Sequence, residues 1–545
     1  MRRITFIIKD KSIGIGWLSL SSKIKLYFSS LFFLMSFTTF SQENDVLYIE
    51  AQWDKPQQTL EHFGSSTGMY GAYIIEQLKS EQDRNLLASL LFSKKIKSGQ
   101  AQGIGLSCFR VELGAGSATQ ANGGGIVKPW RQTHSFMNKE GKYSSKYALG
   151  TDWWIKAAHR YEVDKLIAYS NSAPFFMNKN GLTYKSEESM STNLPKDKYV
   201  TYAKYLATIA RYYQRQGKGF DYISPFNEPQ WPWSFSKGKA KQEGSPWTNQ
   251  EIFEVTKEID KAFNTTQVNA KIVTPEAAHI KYLYKETKGF AAASSNQIEA
   301  FWGKKSPYSL NSMTSVEPLV AGHTYFVDEQ KSLISTRKAL RKKMAEVAPQ
   351  LRFWQSEYSL LEKAYLEGRE SHKSMSAMDC ALFLAKVIHH DLTIAQATSW
   401  QFWSSFHPEL HGSLPRFNLV TAKIEEGTLE TEPTKLLWAL GHFSRWIRPG
   451  MKRYLVKGID DEASENKDLM VSVYGDKETQ EKVWVIINYG NEARDFVVSD
   501  HLSRQLKSYL TTSQVEKNMS YMGMKKANQK IEIPARSIMT LVMEN

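Results

Sequence analysis

The strongest constraint on the fold is a regular alternation between about residues 61 and 444. Short runs of β-forming residues alternate there with longer stretches of helical spacing, such as residues 198–217. The predicted strands begin near residues 61, 105, 165, 222, 271, 319, 352 and 397. Strands that alternate with helices form an open doubly wound sheet or a closed barrel. Eight strands close a barrel, and polar or aromatic residues end nearly every run, so we predict a (β/α)8 TIM barrel with its active site at the strand ends.

The pattern changes after Pro449, where short alternating strands are separated by Gly, Asp, Asn and Lys turns. This pattern is typical of a small antiparallel β-sandwich. Residues 46–53 (VLYIEAQW) read as one more strand, which could complete the sandwich from the other side of the barrel. We therefore expect a strand-forming segment at 42–60, the barrel at 61–444 and the sandwich at 445–545. The absence of a Ser/Pro linker indicates that the two domains pack closely.

Residues 1–41 have the composition of a secretory signal peptide. A basic lead is followed by the apolar run 26–40 (LYFSSLFFLMSFTTF) and then by the polar residues 41–44. The apolar run is short for a bilayer span, so we expect cleavage near Ser41, a secreted or periplasmic protein and no stable membrane span afterwards. The alternative is a membrane-anchored protein whose N-terminal segment is never cut.

Charge and cysteine content exclude several function classes. Removal of residues 1–41 lowers the net charge from +14 to about +9, and the remaining excess is scattered rather than gathered into a basic stripe. We therefore expect no nucleic-acid partner. Cys108 and Cys380 are the two cysteines, both in apolar runs, so buried free thiols are expected. No CxxC or HExxH motif is present, which argues against a zinc site.

Two glutamates occupy matching positions at the ends of predicted strands. Glu228, in SPFNEPQWPW, ends the fourth strand, and Glu357, in RFWQSEYS, ends the seventh. Retaining glycoside hydrolysis needs two carboxyl groups about 5–5.5 Å apart, and distant residues meet this requirement when both sit at the same end of a barrel. Both acids follow apolar runs and have aromatic neighbours, which is costly for a carboxylate without a function.

The chain resembles glycoside hydrolase family 30, in the clan whose barrels carry Asn-Glu on strand four and Glu on strand seven. SPFNEP and WQSEYS supply these motifs, and WALGHFSRWIRPG (438–450) and IPARSIMTLV (533–542) also look like that family. The resemblance runs in order over nearly the whole chain after residue 41. It implies that Glu228 is the general acid/base and that Glu357 is the nucleophile.

The same resemblance assigns roles to polar residues around the two acids. Asn227 would bind the sugar 2-hydroxyl, and Tyr325 would donate a hydrogen bond to Glu357. His323 and Arg110 would complete the polar floor, and the chemistry needs no metal or organic cofactor. A cation beside Glu357 and a drier setting for Glu228 would separate their tasks.

The cleft is expected to be aromatic. Trp231, Trp233 and Trp403 are candidate stacking surfaces for sugar rings, although some of these indoles could simply plug the barrel mouth. Glu112 and Glu276 also lie near strand ends, where we expect them to be salt-bridged or to support the catalytic residues, with Glu276 also a candidate substrate contact. The Gly-rich segment 114–125 lacks the spacing of a phosphate loop, so we expect a long flexible loop that shapes the cleft.

The leading interpretation is a secreted, monomeric, retaining and endo-acting glycoside hydrolase that cleaves β-1,6-galactan in arabinogalactan side chains. This substrate is inferred from the Trp-Pro-Trp sequence after the acid and from the long loop after strand two, which look most like the β-1,6-galactanase branch. A β-1,6-glucanase or a glucuronoxylanase is the alternative within the family. A carbohydrate-binding protein without catalytic activity is the alternative of another class, although both glutamates are present.

Overall fold

The computed structural model describes residues 46–236, 238–361, 375–408, 416–457, 468–499 and 503–543. The predicted signal peptide, residues 1–41, lies outside the described residues.

A closed parallel β-barrel forms the centre of the molecule. Each barrel strand pairs in parallel with the next one along the chain, and the eighth pairs with the first. The fifth strand consists of two pieces, one paired with the fourth strand and one with the sixth, which closes the barrel. In chain order the barrel strands 1 to 8 are His62–Ser66, Cys108–Glu112, Lys165–Tyr169, Tyr222–Ser224, Lys271–Ile272 with Glu276–Ala277, Leu319–His323, Arg352–Tyr358 and Ser399–Phe402.

All eight strands lie within the runs predicted from sequence, and the TIM-barrel prediction is confirmed. The helix predicted at 198–217 is present as Tyr199–Arg215, with one face of buried Tyr, Leu, Ile and Ala residues. The α-helices are Gly68–Gln77, Glu81–Phe92, Leu149–Arg160, Tyr199–Arg215, Asn249–Thr266, Lys281–Tyr284, Gln297–Trp302, Gln330–Val347, Ala377–Thr393 and Lys435–Ser444.

The alternation of side chains along each strand decides which residues reach the barrel interior. Six apolar side chains fill its lower part: Cys108, Ile167, Val273, Leu319, Ala321 and Trp354. Side chains two residues apart on a strand point to the same face, so Arg110 lies above Cys108 on strand 2, and His323 lies above Ala321 on strand 6. The barrel is therefore apolar below and charged above, at the ends of its strands.

The second domain is a sandwich of a seven-stranded antiparallel sheet and a three-stranded sheet. The segment before the barrel contributes one strand to each, because Ala51–Thr59 pairs with Lys452–Val456 and Leu47–Ile49 pairs with Arg494–Val498. The larger sheet has the order Ala51–Thr59, Lys452–Val456, Leu469–Gly475, Lys482–Asn488, Ser537–Met543, Gln505–Thr511 and Ser520–Lys526. The smaller sheet has the order Leu47–Ile49, Arg494–Val498 and Lys530–Ile533.

One hydrophobic cluster runs across the interface between the barrel and the sandwich, and a separate cluster fills the space between the two sheets of the sandwich. Helices Ala377–Thr393 and Lys435–Ser444 pack on the seven-stranded sheet, and buried residues of both domains belong to one continuous cluster. Within it, the ring nitrogens of the buried His442 lie 2.7 Å from Oγ1 of Thr540 and 2.8 Å from Oγ1 of Thr511. The sandwich therefore supports the barrel directly and is not a tethered module.

Smaller elements complete the fold. The short strands are Ile96–Lys97, Gln100–Ala101, Phe406–His407, Val420–Glu425 and Thr428–Pro433, and the 3-10 helices are Ser117–Thr119, Ala121–Gly125, Pro129–Arg131, Ser145–Tyr147, Phe175–Met177, Lys196–Lys198 and Phe290–Ser294. Cys108 and Cys380 are both buried, and neither forms a disulfide. Among the described residues, no helix is long and apolar enough to cross a membrane.

Candidate active site

Glu228 and Glu357 meet at the carboxyl end of the barrel. One carboxylate oxygen of each, together with a ring nitrogen of His323, lie within 4.8 Å of one another. Glu228 follows strand 4 in a left-handed backbone conformation with φ of 48°, and its N–H donates to the carbonyl of Glu276 over 2.9 Å. The two acids predicted from sequence are therefore neighbours in space.

A bulge in strand 7 directs Glu357 into the barrel. Trp354 faces the interior, so strict alternation would turn Ser356 inward and Glu357 outward. The ladder with strand 6 shifts at this point, because Gly322 pairs with Gln355 but His323 pairs with Glu357. An extra residue in one strand re-aims the side chains that follow it. This irregularity is what gives the cleft its second carboxylate.

Arg110 holds three acceptors together beneath the cleft. Its Nη1 donates to Glu357 over 2.7 Å, and its Nη2 donates over 3.0 Å to both Asn227 and Glu276. The guanidinium is fully buried and lies 3.8 Å from the centre of the Tyr169 ring. A planar fork of donors fixes such acceptors in a defined geometry, which a lysine could not do.

His323 is the second cation of the site. Its Nδ1 lies 2.9 Å from Glu228 and 3.6 Å from Glu357, and its Nε2 lies 3.3 Å from Glu276. Burial alone would lower the pKa of His323, but the charge of Glu357 and the hydrogen bonds with Glu228 and Glu276 raise it to about 10. The ring is therefore protonated at neutral pH, and both of its nitrogens donate.

The surroundings give the carboxyl groups different proton affinities. Burial raises the pKa of Glu228 above its ordinary value, and the hydrogen bond from His323 opposes this effect only in part. Burial would also raise the pKa of Glu276, but the charge of Arg110 and the contact with His323 lower it to about 2. Glu357 accepts from Tyr325 Oη over 3.1 Å in addition to its pair with Arg110. Glu228 is therefore favoured as a proton donor, whereas Glu357 is surrounded by hydrogen-bond donors.

An open cleft of about 750 Å³ lies above these groups. Five residues predicted from sequence border it besides the two acids: Asn227, Trp231, Trp233, Tyr325 and Trp403. Trp231 is 36% exposed, whereas the Trp233 indole is anchored by a 3.0 Å hydrogen bond to the carbonyl of Glu228. The cleft is also lined by Tyr70, Arg131, Asn171, Phe326, His407 and Arg416. Aromatic faces with a few polar groups are typical of ligand sites.

Three predicted polar residues lie below the cleft rather than on its surface. Arg110 and His323 are completely buried, and Glu276 is salt-bridged to Arg110. They contact the carboxylates and the asparagine that border the cleft. Glu228, His323 and Glu357 could in principle supply ligands to a metal ion, but both nitrogens of His323 already donate to carboxylates.

A second pair of buried carboxyl groups was not recognised as a pair from the sequence. Glu112 ends strand 2 and accepts from Asn171 Nδ2 over 2.6 Å and from Tyr169 Oη over 3.2 Å. Burial, reinforced by the charge of Glu243, raises the pKa of Glu112 to about 8. Because Asn171 borders the cleft, Glu112 positions a cleft residue. Glu243 lies in a loop with no local pattern that would have revealed it.

Glu243 also fixes the Gly-rich loop after strand 2. Its two carboxylate oxygens accept from the backbone N–H of Ala115 over 2.8 Å and of Ser117 over 3.1 Å. The loop then forms a 3-10 turn, Ser117–Thr119, and a second turn, Ala121–Gly125, whose residues 122–124 have φ of 51°, 61° and 63° in the left-handed region. It was expected to be flexible, but a buried carboxylate from the loop after strand 4 ties its start to the barrel.

A barrel that holds two neighbouring carboxyl groups at its mouth, beneath an aromatic cleft, has the architecture of a glycoside hydrolase. The model of O-glycosyl hydrolase family 30 matches residues 47–411, and the chain belongs to that family. The resemblance deduced from SPFNEP and WQSEYS is confirmed.

Solved structures with the same fold cover about nine tenths of the chain. A conserved exported protein from Bacteroides fragilis has a TM-score of 0.82 and 29% identity, over 91% of this chain and 100% of that one. Xylanase C of Talaromyces cellulolyticus has a TM-score of 0.62 and 18% identity, over 91% and 100%. An endo-β-1,6-glucanase has a TM-score of 0.60 and 15% identity, over 91% and 95%. The last two, at such low identity, are similar in fold alone.

One curated relative has a short region of similarity. The exo-β-1,6-galactobiohydrolase of Bifidobacterium longum subsp. longum is 27% identical over 92 residues, which is 16% of this chain. The matched region spans only 6% of the length of that enzyme.

Proposed function

We propose that this glycoside hydrolase is a secreted, retaining, endo-acting β-1,6-galactanase in which Glu357 is the nucleophile and Glu228 is the general acid/base. The observation that carries the mechanism is the separation of the two acids. An oxygen of each lies within 4.8 Å of the other, which matches the close spacing of retaining enzymes rather than the wider gap that admits a water molecule.

In the first step, Glu357 attacks the anomeric carbon while Glu228 protonates the departing glycosidic oxygen. The bond between the anomeric carbon and that oxygen breaks, and an ester bond to Glu357 forms. Arg110 and Tyr325 orient the Glu357 carboxylate from below and from the side. Asn227, held by Arg110, donates through its amide nitrogen to the sugar 2-hydroxyl, a contact that strengthens in the transition state.

In the second step, Glu228 accepts a proton from water, and the resulting nucleophile releases the sugar from Glu357. The two substitutions invert the anomeric carbon twice, so the β configuration is retained. The charged His323 limits how far the pKa of Glu228 rises, which keeps the group able to alternate between acid and base.

The substrate assignment rests on the cleft and on a relative. Trp231 and Trp233 follow the acid in the sequence Glu-Pro-Gln-Trp-Pro-Trp, and both border the cleft. The short similarity to an exo-β-1,6-galactobiohydrolase supports a β-1,6-galactan substrate. β-1,6-Glucan and glucuronoxylan are the alternatives within the family, and carbohydrate binding without catalysis is the alternative of another class.

The location and the oligomeric state belong to the same proposal. The basic and apolar segment 1–41 would direct export, and the 29% identical relative described as an exported protein supports this assignment. N-terminal sequencing of protein from the culture medium should begin near residue 42. We also propose the boundaries 42–60, 61–444 and 445–545 and a monomer, which light scattering of the purified protein tests.

The deciding experiment measures reducing-sugar release from debranched β-1,6-galactan, β-1,6-glucan and glucuronoxylan. The proteins are the wild type, Glu357→Gln and a matched control, Glu346→Gln, on an exposed helix face. Oligosaccharides from galactan that disappear in Glu357→Gln and persist in the control are the expected result. Early products of mixed length indicate endo action, whereas a single short product indicates exo action.

Other outcomes would change different parts of the proposal. Activity on another polymer that is still lost in Glu357→Gln keeps the mechanism and overturns the substrate. Inactivity on all three polymers, with measurable binding, favours the carbohydrate-binding protein. NMR of the first product tests retention, because an α-anomer would contradict the double displacement.

A further inference from the structure

A second groove lies beside the catalytic cleft. It has a volume of about 610 Å³, compared with about 750 Å³ for the cleft. Tyr73, Gln77, Lys79, Trp130, Pro408 and Glu426 are among the residues that line it, and we refer to it as the side groove. Its volume is that of an ordinary ligand site, and the proposed mechanism uses none of these residues.

Three chain segments border the cleft with one residue and the side groove with a neighbouring residue. On helix Gly68–Gln77, Tyr70 borders the cleft, and Tyr73, one turn later, borders the side groove. In the 3-10 helix Pro129–Arg131, Arg131 borders the cleft and Trp130 borders the side groove. After strand 8, His407 borders the cleft and Pro408 borders the side groove. The two hollows are therefore neighbours, with these three segments forming the wall between them.

The side groove has the chemistry of a sugar-binding surface. The rings of Tyr73 and Trp130 pack against each other with their centres 6.4 Å apart, and both side chains are only partly buried. Lys128 Nζ lies 4.7 Å from the centre of the Trp130 ring. Gln77, Lys79 and Glu426 offer hydrogen-bonding groups around the two aromatic rings. Aromatic surface combined with a few polar groups suits the CH faces and hydroxyls of a pyranose.

A backbone contact fixes the part of the side groove that Lys79 and Gly427 line. The N–H of Lys79 donates to the carbonyl of Gly427 over 3.2 Å, which ties the end of the first helix to the turn between Val420–Glu425 and Thr428–Pro433. Gly427 has a φ of 84°, and a Cβ there would meet the Lys79 side chain at 2.8 Å. The close approach of these two segments therefore depends on a glycine.

We infer that the side groove is a distal subsite that binds sugar units of the same glycan chain whose cleavable bond lies between Glu228 and Glu357. This inference rests on the proposed function, because it takes the occupant of the cleft to be a polysaccharide. A polymer that leaves the cleft past Tyr70 and Arg131 reaches Tyr73 and Trp130 next. The subsite favours long chains over short ones and suits cleavage within a chain.

Binding is tested first, without catalysis. The Glu357→Gln protein is run in affinity gels that contain β-1,6-galactan, β-1,6-glucan or glucuronoxylan. The added Trp130→Ala change should weaken retardation about five- to tenfold, as expected for the loss of one aromatic contact. Trp153→Ala is the matched control, since Trp153 is a partly buried indole that borders neither hollow.

The second test measures how kcat/KM depends on the length of the oligosaccharide substrate. With the polymer that the wild type hydrolyses, kcat/KM should rise stepwise once the oligosaccharide is long enough to reach the side groove. Trp130→Ala should remove this step. Gln77→Trp fills the groove from the last position of the first helix, and it should remove the step as well. Thermal unfolding of each variant identifies any loss of fold.

The results separate the two proposals. The distal subsite is overturned if the Trp130→Ala and Trp153→Ala proteins are retarded equally. It is also overturned if kcat/KM still rises with oligosaccharide length in both Trp130→Ala and Gln77→Trp. Absence of retardation on all three polymers overturns it as well. Retardation that depends on Trp130 in a protein that hydrolyses none of them would sustain the subsite and reject the proposed hydrolase activity on these polymers.

Discussion

His323 Nδ1 lies 2.9 Å from the carboxylate of Glu228, so a protonated imidazole touches the group proposed to donate the catalytic proton. Burial raises the pKa of Glu228, and His323 opposes that rise. Replacement of His323 by the neutral Gln should therefore raise the pKa of Glu228 further. We expect the alkaline limb of the kcat/KM profile to move upward by about one pH unit, because this limb reports the acid of the free enzyme.

Tyr325→Phe provides the contrast for this prediction. Tyr325 donates to Glu357 and makes no hydrogen bond to Glu228 among the described residues. Its loss should lower kcat while the alkaline limb stays in place. An alkaline limb that remains unmoved in His323→Gln would show that another group sets it.

Arg110→Met should destabilise the fold as well as abolish activity. The change removes the nearer of the two buried cations beside Glu276 and Glu357, and removal of one partner from a buried ion pair costs about 3–5 kcal/mol. Urea unfolding measures this loss. Adding Glu276→Gln to the Arg110→Met protein should recover part of the stability but none of the activity. The absence of any recovery would contradict the ion pair between Arg110 and Glu276.

Glu112→Gln should make the protein more resistant to alkaline conditions. Glu112 has a pKa of about 8 in the fold and titrates near its ordinary value when unfolded. Its stabilising contribution is thus complete at low pH and is lost as the pH rises through about 8. The amide cannot ionise, so its Tm should exceed that of the wild type by at least about 2 °C at pH 8.5, with the difference shrinking toward pH 5. Equal pH dependence of the two proteins would refute the assigned pKa.

His442→Ala tests the contact between barrel and sandwich. The side chain is buried and bonded to two threonines of the sandwich, so its loss should cost about 2–3 kcal/mol. Burial lowers the pKa of His442 to about 3. The unfolded chain therefore takes up a proton first as the pH falls below about 6.5, and stability declines from there toward pH 3. The variant should show a shallower decline, whereas an unchanged slope would mean that other buried groups account for it.

Sequence reasoning located the parts of the site that regular structure determines. Strand alternation and strand ends are local patterns, so Asn227, Glu228 and Glu357 could be placed at the barrel mouth from the sequence. The inward turn of Glu357 nevertheless depends on a bulge that the pattern does not show. Contacts between loops could not be predicted from the sequence, because the interaction of Glu112 with Glu243 depends on how two irregular segments fold against each other.

The strand Ala51–Thr59 precedes the barrel, yet it completes a sheet whose neighbouring strand, Lys452–Val456, follows the barrel. During synthesis this strand emerges early and has no partner until nearly the whole barrel has been translated. An unpaired strand edge invites association with other chains, so this order of assembly exposes the nascent protein to aggregation for most of its translation. Any shortened form that ends with the barrel would keep that exposed edge permanently.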